Sequence, residues 1–322
     1  MINRKIVPLI VLICISLQAC SIHNHTKAHN SLATDKLFDN IPDEAEIEIL
    51  TYDGSNQVVH PDIILNNNTF YLAITPYPFF KDKFENPCLY SSKDGVNYQP
   101  NASNPITPTP SYDHNCDPDI FFDDDMKKCI YYVEMMRPDS NNIVLLEEND
   151  KCEYDKETIL HYDLKNGDPL TLSPAIIKNK NKHYLFFVNY YKDKGMFIEY
   201  LKTKKLHCWN KEKSKNINID FPLNYSPWHL DIFKGNNTYY MLINGFYGDD
   251  SDDNYSVFLA TSKNLKDWVV KSEVLSKSTA KGKSIKYYYR STGLINNNVL
   301  VIWYSYVTTH NKWKLAVKKI NI

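Results

Sequence analysis

Five times along the chain a short apolar segment meets a polar turn rich in Asn, Lys or Asp and resumes as a strongly aromatic or aliphatic segment, the pattern of a β-hairpin. The hairpins run from Pro61-Asp62-Ile63-Ile64 to Phe70-Tyr71-Leu72, from Pro118-Asp119-Ile120-Phe121 to Tyr131-Tyr132-Val133, and from Pro174-Ala175-Ile176-Ile177 to Tyr184-Leu185-Phe186. Two more run from Asp231-Ile232-Phe233 to Tyr239-Tyr240-Met241 and from Arg290-Ser291-Thr292-Gly293-Leu294 to Val299-Leu300-Val301. The aligned positions 62, 119, 175 and 231 are separated by 57, 56 and 56 residues. A second feature recurs late in the repeats: Leu89 to Tyr98 and Leu259 to Trp268 each end an apolar strand in a Ser-Lys-Asp/Asn turn that closes on an aromatic residue, with a degenerate copy from Tyr200 to Trp209. These turns read as structural punctuation. A period of this length suits a four-stranded blade with long loops, and no segment shows convincing helical periodicity. The pattern predicts an all-β five-bladed β-propeller over residues 46–322, with a β-sandwich as the alternative.

The first residues follow another rule. Asn3-Arg4-Lys5 precedes an apolar run from Ile6 to Leu17 and then Leu17-Gln18-Ala19-Cys20, the order of a secretory signal. The run is too short for a bilayer core of about 30 Å. Leu-x-Ala-Cys resembles the bacterial lipobox, which implies that residues 1–19 are a lipoprotein signal peptide, that Cys20 is lipidated, and that the protein is tethered to the cell envelope. Ser21 after the cysteine implies, by the same resemblance, the outer membrane of a Gram-negative cell. Residues 20–45 read as a flexible polar tether. An ordinary signal peptide cleaved nearby is the other reading.

Charge and cysteine content restrict the chemistry. With 37 basic and 38 acidic side chains the chain lacks the electrostatic footprint of a nucleic-acid binder. Cys88, Cys116, Cys129, Cys152 and Cys208 follow Cys20, an odd number that leaves at least one thiol unpaired; Cys116 and Cys129 flank one predicted strand, where a bridge between neighbours is possible. No Cys-x-x-Cys pair exists, no ligand spacing announces a metal, and no cofactor is expected. The 24 tyrosines suit sugar stacking as well as strand packing.

In a propeller the inner strands line one channel, so Asp62, Asp119 and Asp231 are expected to crowd a common funnel with His60, Asp117, His229 and Arg290. Clustered carboxylates raise one another's pKa, which allows one to act as acid while another stays ionised. Glycoside hydrolysis needs that division of labour. The Pro-Asp-Ile starts, the Ser-Lys-Asp-Gly turn, His229 and Arg290 resemble the five-bladed propeller glycosidases, glycoside hydrolase family 43 with its invertase, levansucrase and arabinanase relatives. The resemblance implies that Asp62 is the general base and that Asp119 tunes the acid.

The blade-three Glu-x-Pro that supplies the acid in those enzymes is replaced here by Leu172-Ser173-Pro174-Ala175. Glu85, in Glu85-Asn86-Pro87, and Asp231 are the substitutes considered. Trp228 reads either as a sugar-stacking platform at the pocket rim or as blade packing, and the other residues also have plainer roles: turn capping for Asp62 and Asp119, a satisfied core histidine for His229, charge neutralisation for Arg290 and a solvated loop for Glu85. The expected activity is hydrolysis of a surface or extracellular polysaccharide. A glycan-binding lipoprotein without activity, or a transferase or phosphorylase on the same scaffold, are the alternatives.

Overall fold

The computed structural model describes residues 36–111, 113–248, 254–280 and 284–322. They form five sheets: three of four consecutive antiparallel strands, one of four consecutive antiparallel strands with a short fifth, Asn218–Ile219, added parallel to Asp267–Leu275, and one in which the last three strands are completed by the N-terminal Glu44–Ile47. The innermost strands are Val58–Asn66, Asn115–Phe122, Leu170–Asn179, Tyr225–Gly235 and Ile285–Asn296. The expected five-bladed β-propeller is the observed fold.

The turns explain themselves locally. The first hairpin turns at Asn67 and Asn68 and at Asn236 and Asn237 place both residues at positive φ, from 46 to 61°. Two-residue hairpin turns need that conformation, and asparagine tolerates it. The Ser-Lys-Asp/Asn turns are also alike. Ser92 Oγ accepts the backbone N–H of Asp94 and Gly95, and Asp94 Oδ1 accepts those of Val96 and Asn97. Ser262 and Asn264 repeat all four bonds on Asn264, Leu265, Lys266 and Asp267. Gly95 has φ 75°, and an added Cβ would lie 3.2 Å from Ile41 and 3.3 Å from Trp303.

The ring closes through the N-terminal segment. Glu44–Ile47 pairs with the last strand, Trp313–Asn321, in the register Glu44↔Lys318 to Ile47↔Leu315. Phe38 and Ile41 are buried in the same core cluster as Phe70 and Trp303. Residues 36–45, read from sequence as the end of the tether, therefore belong to the folded body, because their apolar side chains fill the seam between the last and first blades. Cys20 and the signal segment lie outside the described residues, among which no helix is long and apolar enough to cross a membrane. Cys88, Cys116, Cys129, Cys152 and Cys208 are free thiols. Cys116 and Cys129 cannot bridge, since Cys116 pairs with Val133 and Cys129 with Phe121, far apart on one ladder.

Each inner strand carries a register break at nearly the same height, beginning one residue earlier in blades four and five: Val59/Asp62, Cys116/Asp119, Leu172/Ala175, Pro227/His229 and Tyr288/Ser291. Pro61, Pro118 and Pro174 sit at the first three of these. A residue without an N–H is tolerated where the ladder is interrupted. The preceding residues, His60, Asp117 and Ser173, adopt φ of 56, 54 and 50°. For a non-glycine residue this left-handed backbone costs about 1–3 kcal/mol and persists only where surrounding packing imposes it. The repeated Pro of the sequence thus marks the device that turns these side chains into the channel.

Candidate functional site

The bulges generate two tiers of side chains around the axis. One tier holds His60, Asp117, Ser173, His229 and Arg290, and the second, two residues further along each strand, holds Asp62, Asp119, Ala175, Asp231 and Thr292. All ten residues are buried.

The Asp62 tier fastens blade to blade. Asp62 Oδ2 accepts the N–H of Ile120 at 2.7 Å, Asp119 Oδ2 that of Ile176 at 3.0 Å, Asp231 Oδ2 that of Gly293 at 3.3 Å, and Thr292 Oγ1 that of Ile63 at 3.0 Å. Each acceptor clasps the residue that follows its counterpart in the next blade. Ala175, lacking a side-chain oxygen, breaks the series. Burial raises the pKa of Asp62, Asp119 and Asp231; repulsion between the carboxylates adds to this for Asp62 and Asp119, while Arg290 opposes it for all three. The expected convergence of the three aspartates is real. They line a cavity of about 300 Å³ together with Ile120, Ile176 and Phe233, on the side of the first hairpin turns.

The His60 tier has a different character. Asp117 Oδ1 lies 3.2 Å from His60 Nε2, 3.3 Å from His229 Nδ1 and 3.5 Å from Arg290 Nη1, while its Oδ2 accepts the N–H of Ser173 at 2.9 Å. Burial works to raise the Asp117 pKa, but His60, His229 and Arg290 outweigh it and hold the carboxyl well below its ordinary value. Burial drives His229 well below the usual histidine range, aided by His60 and Arg290 and opposed by Asp117. An ionised carboxylate and a neutral imidazole are the forms that ligate metals.

Glu85 joins this tier from a loop. His60 Nδ1 is 3.0 Å from Glu85 Oε2 and 3.0 Å from Thr75 Oγ1, and Thr75 donates to Glu85 at 2.9 Å. The His60 ring thus lies between two carboxylates, with Nδ1 facing Glu85 and Nε2 facing Asp117. Glu85 is buried, and its loop is anchored by Asn86 Nδ2 donating to Thr107 O and Asn115 Nδ2 donating to Asn86 Oδ1. It is therefore not a solvated loop carboxylate. Beyond it, His114 Nε2 stands 3.8 Å from Glu85 Oε1, and His114 Nδ1 is 2.6 Å from Asp113 Oδ1. Arg137 binds Asp113 through Nε and Nη2, with Nη2 also reaching Asp82 at 2.8 Å. Although burial opposes it, these bonds push Asp113 down to about 2.

Trp228 donates Nε1–H to Tyr289 Oη at 2.9 Å, and both rings flank His229. From Tyr289 the aromatic contacts continue to Trp313 at 5.1 Å and from there to half-exposed Phe80 at 5.4 Å, so one wall of the site is aromatic and the other is charged. Phe79 and Phe80 both have positive φ.

Three sets of side chains have metal-ligand spacing among the described residues. Arg137 occupies the Asp82–Asp113–His114 set, which makes it an ion-pair network. Asp62, Asp119 and Asp231 are committed to backbone N–H groups. In the third set His60, Asp117 and His229 each offer one ligand atom, and these atoms lie within 4.8 Å of one another. His60 Nε2, Asp117 Oδ1 and His229 Nε2 are buried without a hydrogen-bond partner, as are the guanidinium nitrogens of Arg290. Polar groups so placed are costly to bury unless something pairs with them. Two imidazoles and a carboxylate form a donor set suited to a divalent transition metal.

No local spacing revealed this set, because its members come from three blades. Position 117 lies 57 residues after position 60 and position 229 lies 56 after position 173, the same period as the aspartates. That offset was the available signal for Ser173; Thr75, Asp113, His114 and Tyr289 left none.

No protein-family model matches the chain and no curated protein matches it. Solved structures share its fold. An N-acetylgalactosamine deacetylase from F. plautii, solved with blood group B trisaccharide, superposes with TM-score 0.75 at 18% identity, over 87% of this chain and 95% of that one. An exo-1,5-α-L-arabinanase from a bovine ruminal metagenomic library gives TM-score 0.61 at 14% identity, over 83% and 94%. A Cellvibrio cellulosa α-L-arabinanase complexed with arabinohexaose gives 0.57 at 13%, over 82% and 91%. The resemblance to propeller glycosidases read in the sequence is thus a resemblance of fold, shared with a deacetylase, and these neighbours bind carbohydrate.

Proposed function

We propose that the protein is a carbohydrate-active hydrolase whose reaction centre is a divalent cation site formed by His60, Asp117 and His229, and that it removes an acyl group from an N-acylated sugar. The observation that carries this reading is the convergence of buried His60, Asp117 and His229 at the bulge tier, one ligand atom of each lying within 4.8 Å of the others, with His60 Nε2, Asp117 Oδ1 and His229 Nε2 left without hydrogen-bond partners. A divalent cation bound there supplies Lewis acidity toward an acyl carbonyl. The chain's own residues do the rest. Glu85 and Thr75 fix the His60 ring and its tautomer, as outer carboxylates do for metal-bound imidazoles. Arg290 keeps Asp117 ionised. Tyr289, Trp228 and Phe80 offer aromatic faces on which a sugar ring stacks while its polar edge meets the opposite wall. The deacetylase superposition supports the same class of substrate.

The two-carboxylate glycosidase reading, with Asp62 as base and Asp119 as partner, receives less support. Glycosidase pairs stand about 5–10 Å apart across the scissile bond, whereas ligand atoms of Asp62, Asp119 and Asp231 lie within 4.8 Å of one another and hold backbone N–H groups. Blade three offers only Ser173 and Ala175 to the two tiers, and Leu172 is buried in the apolar core.

Lipidation at Cys20 and attachment to the cell envelope, in the outer membrane, belong to the same proposal, supported by the Leu17-Gln18-Ala19-Cys20 signature. The test is a paired assay on glycans rich in N-acetylhexosamine and on arabinan, measuring free acetate and reducing ends in the same samples. Acetate release that stops with chelator and returns with added Zn²⁺ or Mn²⁺ supports deacylation. Chelator-resistant release of reducing ends restores the glycosidase reading.

A further inference from the structure

The lysines are concentrated on one blade. From Lys178 to Lys215 there are eleven lysines against Asp193, Glu199 and Glu212, in a chain whose formal net charge is −1. Glu199 is buried and occupied by Tyr191 and Ser214.

The inner strands run from the bulge tier toward their first hairpin turns. At about 3.3 Å per residue, Lys180, in the turn that follows Asn179, stands about 23 Å from Ser173. Lys180, Lys202, Lys204 and Lys205 of blade three and Lys263 and Lys266 of blade four are exposed at this turn end, opposite the His60–Asp117–His229 centre. None of the six forms an ion pair with a carboxylate among the described residues. Partial desolvation and then the ammonium groups of Lys182, Lys266 and Lys215 push Lys202 below its ordinary value, so like charges crowd here. Asp267, next to Lys266, is held by Asn218 and Asn264, and Asp124 of blade two is paired with Lys178. The corresponding corner of blade two is acidic, with Asp123, Asp124 and Asp125, which confines the basic patch to blades three and four.

The chain enters the body on the same face. Phe38 packs edge-on against Phe70 beside the first turn of blade one, at 6.1 Å, and Lys319 Nζ reaches Asp39 O while Lys319 N donates to Asp43 O at 2.8 Å. The N-terminal entry and the lysines therefore occupy opposite sides of one face.

We propose that this turn face docks on an anionic lipid surface, the lysines of blades three and four resting on the headgroups while the aromatic-walled site points away. Exposed ammonium groups without carboxylate partners suit a diffuse layer of lipid phosphates. An anionic glycan substrate would instead have to reach the opposite face. The orientation rests in part on the Cys20 reading; the surface does not.

The experiment uses residues 21–322, which contain every described strand of the ring and carry no acyl chain when expressed without the signal segment. Flotation is measured with phosphatidylcholine vesicles and with vesicles containing about a third phosphatidylglycerol, in about 0.05 and 0.5 M salt. The expected result is binding to the anionic vesicles alone, lost at high salt, and at least about ten-fold weaker when Lys202, Lys204, Lys205 and Lys266 are changed to Gln. Acetate release from a soluble glycan should be unchanged in that variant, which separates this proposal from the catalytic one. Absence of flotation with anionic vesicles overturns it, as does equal flotation of the variant. Lysine-dependent binding to a soluble anionic polysaccharide without vesicle binding also overturns it.

Discussion

Asp117 and Asp119 stand two residues apart on the inner strand of blade two, yet the fold drives their carboxyl groups in opposite directions. Burial raises both. For Asp117 the nearby His60, His229 and Arg290 reverse the effect and leave it ionised, whereas for Asp119 the charges of Asp62 and Asp231 reinforce it. The bulge between them assigns one residue to a centre of cations and imidazoles and the other to a ring of acids. Similar local sequence, Asp-Pro-Asp, thus serves two purposes within one strand.

The Asp62 ring should behave as a structural element. Asp62→Asn keeps an acceptor for the Ile120 N–H and removes an acid, so acetate release should remain within a few-fold of the parent. Asp62→Ala leaves that buried N–H unpaired, at a cost of about 1–3 kcal/mol, measurable by urea denaturation. Loss of turnover in a folded Asp62→Asn protein would show that Asp62 acts on substrate.

The pH dependence of stability follows from the same ring. Asp62, Asp119 and Asp231 have raised pKa values in the folded state, so the native protein holds more protons than the unfolded chain above the ordinary carboxylate pKa. Their contribution is complete below about pH 4 and declines as pH rises through the folded values. Asp119→Asn, which retains an acceptor for the Ile176 N–H, should flatten the fall in unfolding free energy between acid and neutral pH. An unchanged slope would contradict the shared repulsion.

Glu85 should act through His60. Replacing it by Gln keeps the shape but removes the charge that orients the ring, and affinity for a divalent cation should fall about 10–100-fold. Calorimetric titration with Zn²⁺ or Mn²⁺ reads this directly. Acetate release should recover at high metal concentration, which a merely unfolded variant would not show.

Gly95 tests the turn module. Its left-handed backbone and the closeness of Ile41 and Trp303 to any added Cβ predict that Gly95→Ala destabilises the protein by about 1–3 kcal/mol. The effect should appear as a lower unfolding midpoint with turnover unaltered below it.

The propeller was legible because a repeat near 56 residues exposes its own period, and because Asn-Asn turns and Ser-Lys-Asp turns carry their geometry in local hydrogen bonds. The N-terminal boundary was less so. Phe38, Ile41 and Glu44–Ile47 lie in a polar stretch; Phe38 and Ile41 are ordered by a core that joins Phe70 to Trp303, and Glu44–Ile47 by Lys318 and Leu315, more than 250 residues away in sequence. His60, Asp117, His229 and Arg290 were identified together, but their separation from Asp62, Asp119 and Asp231 was not, since a one-residue bulge is invisible in hydrophobic pattern. Glu85 was singled out for its Glu-Asn-Pro form. Its contact with His60 depends on a loop buried against Thr107 and Asn115, which no local signal encodes.

The most direct measurement is the metal content of purified, dialysed protein after exposure to Zn²⁺, comparing the parent with Asp117→Asn and Asp62→Asn by mass spectrometry of the released ion. Stoichiometric metal is expected in the parent and in Asp62→Asn, and little in Asp117→Asn while that variant remains folded. A parent that retains no divalent metal, or an Asp117→Asn protein that retains as much as the parent, would contradict a cation site at His60, Asp117 and His229.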